Sequence, residues 1–237
     1  MAPVGQGSRV CPALYAGHCA GGIPVLAWAW RARGHSGGVI PAFDPKPVGL
    51  AGRTVRLEPL QPGHAAGIFA ASRDPEIWRW MLVEQFKTEA DAGKWIDAAL
   101  AAQAAGTEVA WATTLLKDGQ VVGTTRYLDI RRPNRGLEIG WTWIDPRFQR
   151  TAVNTEAKYL MLCHAFEELG AIRVQLKTDE RNARSRAAIA RLGATFEGIL
   201  RKYQARFDGY VRNTAMFSLT AEEWPAIKTR LEAKLAQ

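Results

Sequence analysis

The sequence predicts an α+β fold, a single mixed and mainly antiparallel sheet flanked by helices, on three observations. Asp118-Gly119 separates two apolar runs, a strong short-range hairpin signal. Beyond Pro146 the apolar spacing leaves the strand period for the helix period, and then the two alternate. Gly106, Gly170 and Gly193 stand where helical stretches should end.

From Arg53 the elements read in order. Residues 53–60 place Val55, Leu57 and then Leu60 as a half-buried strand should. Pro62 opens a short helix to about residue 72. Asp74-Pro75 starts another, capped by Asp74 and carrying Trp78, Trp80 and Met81. Thr88 and Asp91 bracket the start of an alanine-rich helix with Trp95, Ile96 and Leu100 at helical spacing. Strands are expected at 108–116 and 120–130, around the Asp-Gly turn, and at 137–144. Next come a helix over 155–169, an apolar strand over 172–177 (Ile172, Val174, Leu176), a helix over 182–192 and a strand over 195–202. Asp208-Gly209 turns the chain into a strand over 211–219, and Thr220 is placed to cap a last helix over 221–235.

Residues 1–52 are different. They hold six of the 12 prolines and ten of the 22 glycines, which disfavours regular elements. Residues 10–30 are uncharged and end in the apolar run 23–30, too short and too interrupted for the ~20 residues of a spanning helix. A single Arg9 before a broken apolar stretch is also a poor secretory signal. The expectation is a disordered extension over 1–52, with 1–46 dispensable, and one domain over 53–237. A targeting segment and a structured appendage are the alternatives.

The chain has 237 residues, of which 47% are hydrophobic and 23% charged, the composition of a soluble globular protein. Cys11, Cys19 and Cys163 are too few and scattered for a disulfide framework, and the four histidines show no metal-ligand spacing. The formal charge of +8 suits a polyanionic ligand such as a nucleotide cofactor. No block of five basic residues and no nucleic-acid-binding signature is present, which argues against nucleic acid. A cytoplasmic protein with no membrane partner is expected, and a homodimer is left open.

The informative stretch runs from 138 to 158. A strand enters a turn of small and polar residues, Gln149-Arg150-Thr151-Ala152-Val153-Asn154, and a helix follows at Thr155. The first N–H groups of such a helix lack internal partners and lie at the positive end of its dipole, so they receive an anion well. Arg150 adds a charge beside them. With Glu-Ile-Gly-Trp (138–141), Thr155-Glu156-Ala157, Asn182-x-x-Ser185 and Arg191-Leu192-Gly193-Ala194, residues 53–220 resemble the GNAT acetyltransferase superfamily, within it the ribosomal-protein Nα-acetyltransferase (Rim-type) branch. The resemblance implies a GNAT fold and transfer of an acetyl group from acetyl-CoA directly to a primary amine, with no metal and no acyl-cysteine. The acceptor would be a peptide or protein N-terminus or a small-molecule amine. It implies that the loop from Gln149 to Thr155 cradles the pyrophosphate, that Asn182 and Ser185 meet the pantetheine arm, and that free strand N–H groups near Trp143 and Ile144 hold the thioester.

Two positions depart from the family pattern. Ala152 and Asn154 replace loop glycines, which is mild if residue 152 is helical and costs about 1 kcal/mol or more if it must be left-handed. Ile189 stands where many members carry a tyrosine acid, leaving Ser185 or a water to assist the thiolate. These two departures keep open a non-catalytic acyl-CoA-binding sensor or interaction module. Glu138 is the candidate base, against a reading as an exposed strand residue or a partner of Arg135; Glu108 and Glu197 come next. Asn182 and Asn154 each read equally as helix caps, Ser185 as a solvated hydroxyl, Lys158 as a surface charge or a phosphate ligand, and His164 as a core histidine. Trp78, Trp80, Trp141 and Trp143 read mostly as core. Strand alternation places Trp141 and Trp143 on one side of the sheet with Ile139, and one or two of the helical tryptophans are expected to line the acceptor mouth.

Overall fold

A computed structural model describes residues 9–10 and 42–237. Its strands are β1 (Arg9–Val10), β2 (Leu50–Ala51), β3 (Val55–Pro59), β4 (Val109–Leu115), β5 (Val121–Arg131), β6 (Gly136–Ile144), β7 (Arg173–Asp179), β8 (Thr195–Ala205) and β9 (Val211–Thr220). Its helices are α1 (Ala65–Ala71), α2 (Pro75–Trp78), α3 (Glu89–Ala104), α4 (Ala152–Cys163), α5 (Ala183–Leu192) and α6 (Trp224–Leu235). The strands form one sheet in the order β1-β2-β3-β4-β5-β6-β7-β9-β8. Only β1 with β2 and β6 with β7 run parallel; the other pairs are antiparallel. The mixed, mainly antiparallel sheet is the one expected.

Two apolar clusters cover the sheet. One joins Leu137 and Ile139 of β6 to Leu160 and Met161 of α4 and Leu231 of α6. The other joins Ile68 of α1 and Ile96 of α3 to Ala110 of β4 and Trp143 of β6. The Thr88–Asp91 capping box starts α3, and Asp74 caps α2 through the Glu76 N–H, as their spacing predicts. A π-helical turn, His164–Glu168, prolongs α4.

Several expected details differ. α4 begins at Ala152, three residues before the expected start, because Thr151 rather than Asn154 caps it, accepting from the Val153 N–H. α6 begins at Trp224 because Thr220 donates its N–H and hydroxyl to Glu223 and so does not cap. Ile172 is 51% exposed rather than inward, since β7 starts at Arg173. Trp78 belongs to α2, but Trp80 and Met81 lie beyond it. Trp141 has φ 49° and the β5–β6 register slips between Thr124 and Arg126, so a bulge breaks the alternation of β6. Ile139 and Trp143 therefore pack in opposite clusters, not on one side.

The fold takes in residues ahead of the expected boundary at Arg53. Phe43 and Leu50 are buried in the larger cluster, and the Trp111 indole donates to the Val48 carbonyl at 2.7 Å. The turn at 52–55 is held from α4: the buried Glu156 carboxylate accepts the N–H groups of Arg53, Thr54 and Val55, each at 2.8 Å. A side chain on Gly52 would run into that carboxylate, which fixes glycine there. The expected disorder over residues 1–8 and 11–41 lies outside the described residues.

A chain starting at Arg53 should therefore melt about 10 °C or more below one starting at Ala42, because truncating a buried Phe or Leu costs about 2–5 kcal/mol. Thermal unfolding of the two truncations checks this; equal midpoints would show that residues 42–52 contribute nothing.

Candidate active site

The parallel pair β6–β7 is joined only over Gly136–Arg173, Leu137–Val174 and Glu138–Gln175. Beyond Glu138 the two strands part, each paired only on its outer side, β6 with β5 and β7 with β9. The bulge at Trp141 supplies the reason, since an extra residue bends and twists the strand that carries it. A wedge with free backbone edges opens between them. The Asp145 N–H donates to the Val122 carbonyl. Ladder alternation then turns the Trp143 N–H toward β5 and the Ile144 N–H toward the wedge. The Trp143 N–H, expected to face the thioester, instead belongs to the β5–β6 ladder, and its ring lies in the core.

The mouth of the wedge meets the N-terminus of α4. Arg150 takes the left-handed conformation, φ 62°, and Thr151 then enters the helix as its cap. Ala152 is already helical, so its methyl replaces no glycine-only conformation. The Thr151 hydroxyl donates to the Phe148 carbonyl. Arg150, Thr151 and Ala152 are exposed, whereas Val153 is buried and Asn154 and Thr155 are half-buried inside the first helical turn. Gln149 is engaged at both ends of its amide: Nε2 donates to the Ile144 carbonyl at 2.9 Å, and Oε1 accepts from Arg184 at 3.0 Å. It therefore fastens the strand end to α5 instead of offering its side chain to a ligand. Arg184, in the first turn of α5, brings a second cation to the mouth. Nothing in its local sequence distinguishes it from other helix-surface arginines.

On β7 the chain leaves the wedge through Asp179-Glu180-Arg181, and on β6 through Asp145-Pro146-Arg147. Both aspartates are buried, and each accepts the N–H and the guanidinium of the arginine two residues on. Burial alone would raise both carboxyls; the bonds from Arg147 and Arg181 outweigh it and hold them below the ordinary value. Asn182 caps α5, its Oδ1 accepting the Ser185 N–H, so only its Nδ2 is open to a ligand. Ser185 is half-buried on that first turn. Ile189 is buried in the core, which leaves no room there for a proton donor.

Glu138 stands at the fork itself. It is neither exposed nor paired with Arg135: it is 2% exposed, bonded to Lys177 at 2.9 Å and to the Gln175 amide at 3.2 Å. A side chain at Gly140 would come within 3.0 Å of its Oε1, so the carboxylate lies over the first unpaired stretch of β6. The other carboxylates are committed elsewhere. Glu108 binds Arg126 at 2.7 Å, and Arg173 holds Glu197 down to about 2, too weak a base to take a proton near neutrality.

Lys158 is neither a surface charge nor a phosphate ligand. It is 4% exposed, and its ammonium donates to the Thr125 and Thr142 hydroxyls beneath the bulge, with no carboxylate partner among the described residues. Burial lowers it to about 7. The sequence signal was its position inside an otherwise apolar segment, residues 157–163. His164 is a core residue stacked on Tyr127. Among the described residues no cluster of His, Cys, Asp or Glu could hold a metal, and no helix is long and apolar enough to cross a membrane.

Residues 54–195 match the family profile of the Acetyltransferase (GNAT) domain. The chain is 30% identical over 186 residues to FsC-acetyl coenzyme A-N(2)-transacetylase of Aspergillus fumigatus, covering 72% of this chain and 76% of that protein. It is 32% identical over 114 residues to YdaF of Bacillus subtilis, provisionally named a ribosomal N-acetyltransferase; that match covers 48% of this chain and 61% of YdaF. A GCN5-related N-acetyltransferase from Brucella melitensis superposes with a TM-score of 0.76 at 32% identity, covering 81% of this chain and 87% of that one.

The buried amine makes stability depend on pH in a definite direction. Between about 7 and the ordinary lysine value of 10.5 the unfolded chain binds a proton at Lys158 that the folded chain does not, so folding strengthens as pH rises through that window. Lys158→Met should raise the melting temperature at pH 7, and the gain should shrink toward pH 10. Melting curves of both proteins across that range check it; a pH-independent difference would place the charge elsewhere.

Proposed function

Because the chain belongs to the GNAT acetyltransferase family, it is an acetyl-CoA-dependent N-acetyltransferase, and we propose that it acetylates the α-amine of a peptide, a protein or a small molecule in the cytoplasm. The observation that carries this reading is the position of Glu138, a buried carboxylate at the fork where β6 and β7 part. Acetyl-CoA supplies an acetyl thioester. Its pyrophosphate lies on the first N–H groups of α4, in the loop from Arg150 to Thr155, with Arg150 and Arg184 neutralising its charge. The Ile144 N–H and the Nδ2 of Asn182 bind the arm and the thioester. The amine enters from the α1–α3 side of the sheet, where Glu138 and Gly140 line the floor.

The amine nitrogen attacks the acetyl carbonyl carbon, the new C–N bond replaces the C–S bond, and CoA leaves as a thiolate. Glu138 takes the ammonium proton, directly or through a water, and Ser185 or a water protonates the sulfur. Only a neutral amine attacks. Near pH 7.5 a lysine of pKa about 10.4 is neutral roughly once in a thousand, a penalty of about 4 kcal/mol, whereas an α-amine of pKa about 7.7–8 loses less than about 1 kcal/mol. A site with one carboxylate, already shared with Lys177, and no tyrosine acid suits the α-amine.

Glu138→Gln should lower kcat about 100-fold or more on an α-amine substrate and leave acetyl-CoA affinity intact. Near wild-type kcat would remove Glu138 from the mechanism, and faster acetylation of lysine side chains than of α-amines would overturn the acceptor class. Separately, Arg150→Glu should weaken acetyl-CoA binding more than tenfold in calorimetry; unchanged affinity would move the pyrophosphate off this loop.

A further inference from the structure

Arg126 of β5 lies directly across from Gly140, the first floor residue past the fork. It is a buried cation, 5% exposed, with its guanidinium 4.1 Å from the Trp95 ring centroid and 5.2 Å from that of Trp141. A guanidinium carries five N–H donors. Only Nη1 is used, on Glu108; Nε and Nη2 are buried with no partner among the described residues. These two nitrogens form one edge of the guanidinium plane, the edge that meets both oxygens of a carboxylate in two parallel bonds. Buried donors are costly to leave unfilled, and a bound oxyanion would satisfy both. The indole rings flank that edge, Trp95 from α3 and the half-buried Trp141 from the bulge.

We propose that the acceptor carries a carboxylate near its reacting amine, and that this carboxylate docks on the Nε–Nη2 edge of Arg126 between Trp95 and Trp141 while the amine faces Glu138. Gly140 adds no side chain of its own to the floor between the arginine and the glutamate, where the Leu128 side chain and the Glu138 carboxylate come close. The inference rests on the fork being the acetyl-transfer site for an amine. The carboxylate can come from the free terminus of a short peptide or from an acidic first residue.

Two matched substrate pairs separate these sources: Ala-Ala against Ala-Ala-amide, and Asp-Ala-amide against Asn-Ala-amide, with rates corrected for the neutral amine fraction. At least a tenfold preference in kcat/KM for the acid is expected in one pair, falling toward one in Arg126→Lys, which keeps the charge facing Glu108 but not the fork. Equal kcat/KM within both pairs in the wild type would overturn the assignment. A binding measurement keeps this separate from the amine reading: succinate should change tryptophan fluorescence saturably, succinamide should not, and Arg126→Lys should weaken the succinate response at least tenfold. A succinate response lost in Arg126→Lys, with no amine acetylated, would sink the amine reading and leave the carboxylate site standing. No saturable succinate response would sink the carboxylate site.

Discussion

The parting of β6 from β7 after three paired residues is the constraint on which the rest of the molecule depends. A parallel pair buried between helix layers would ordinarily continue, because unpaired strand edges leave N–H and C=O groups without partners. Here the bulge at Trp141 turns β6 away and leaves the facing edges of β6 and β7 unpaired by any strand beyond Glu138. Each neighbouring device follows from keeping that opening at one width. Gln149 ties the end of β6 to α5, Asn182 starts α5 directly below the end of β7, and Lys158 links the hydroxyls of Thr125 and Thr142 on the two strands flanking the bulge. The ammonium is a poor core residue on desolvation grounds, yet it satisfies both hydroxyls at the one place where the ladder is interrupted.

α4 serves two ends of the molecule at once. Its N-terminal N–H groups face the mouth, and one turn further along Glu156 reaches the opposite way to hold the turn at 52–55. The segment from Phe43 to Val55 is thereby coupled to the helix whose N-terminus borders the mouth, by packing and by three hydrogen bonds to one carboxylate. That carboxylate is buried, and backbone donors rather than a cationic side chain satisfy it.

Period and punctuation made most of the fold legible: the Asp118-Gly119 hairpin, the Thr88–Asp91 box and the closing glycines all act locally, and the elements they bound are present. What acts over distance was not legible. The parity of β6 depended on a bulge that its residues do not announce, so Trp143 was assigned to the wrong face. The start of α4 was misplaced because Thr151 and Asn154 are both competent caps, and tertiary packing of Val153 chose between them. At the site, Glu138 and the 150–155 loop could be named from motif and dipole arguments. The ion pair with Lys177, the pairing of Gln149 with Arg184 and the half-satisfied guanidinium of Arg126 join residues 18 to 39 positions apart, where sequence spacing carries no signal.

Both jaws of the wedge end in the same construction, an aspartate that grips the backbone and the guanidinium two residues later. Such a clasp is short-range and self-contained: it needs no ligand and no contact across the gap. The two strands are thus terminated independently, and the distance between their tips is set by the sheet at their roots and by the Gln149–Arg184 bond that spans the mouth. The width of the mouth therefore answers to changes at two places, the Glu138–Gln175 pair at the root and the Gln149–Arg184 bridge at the tips.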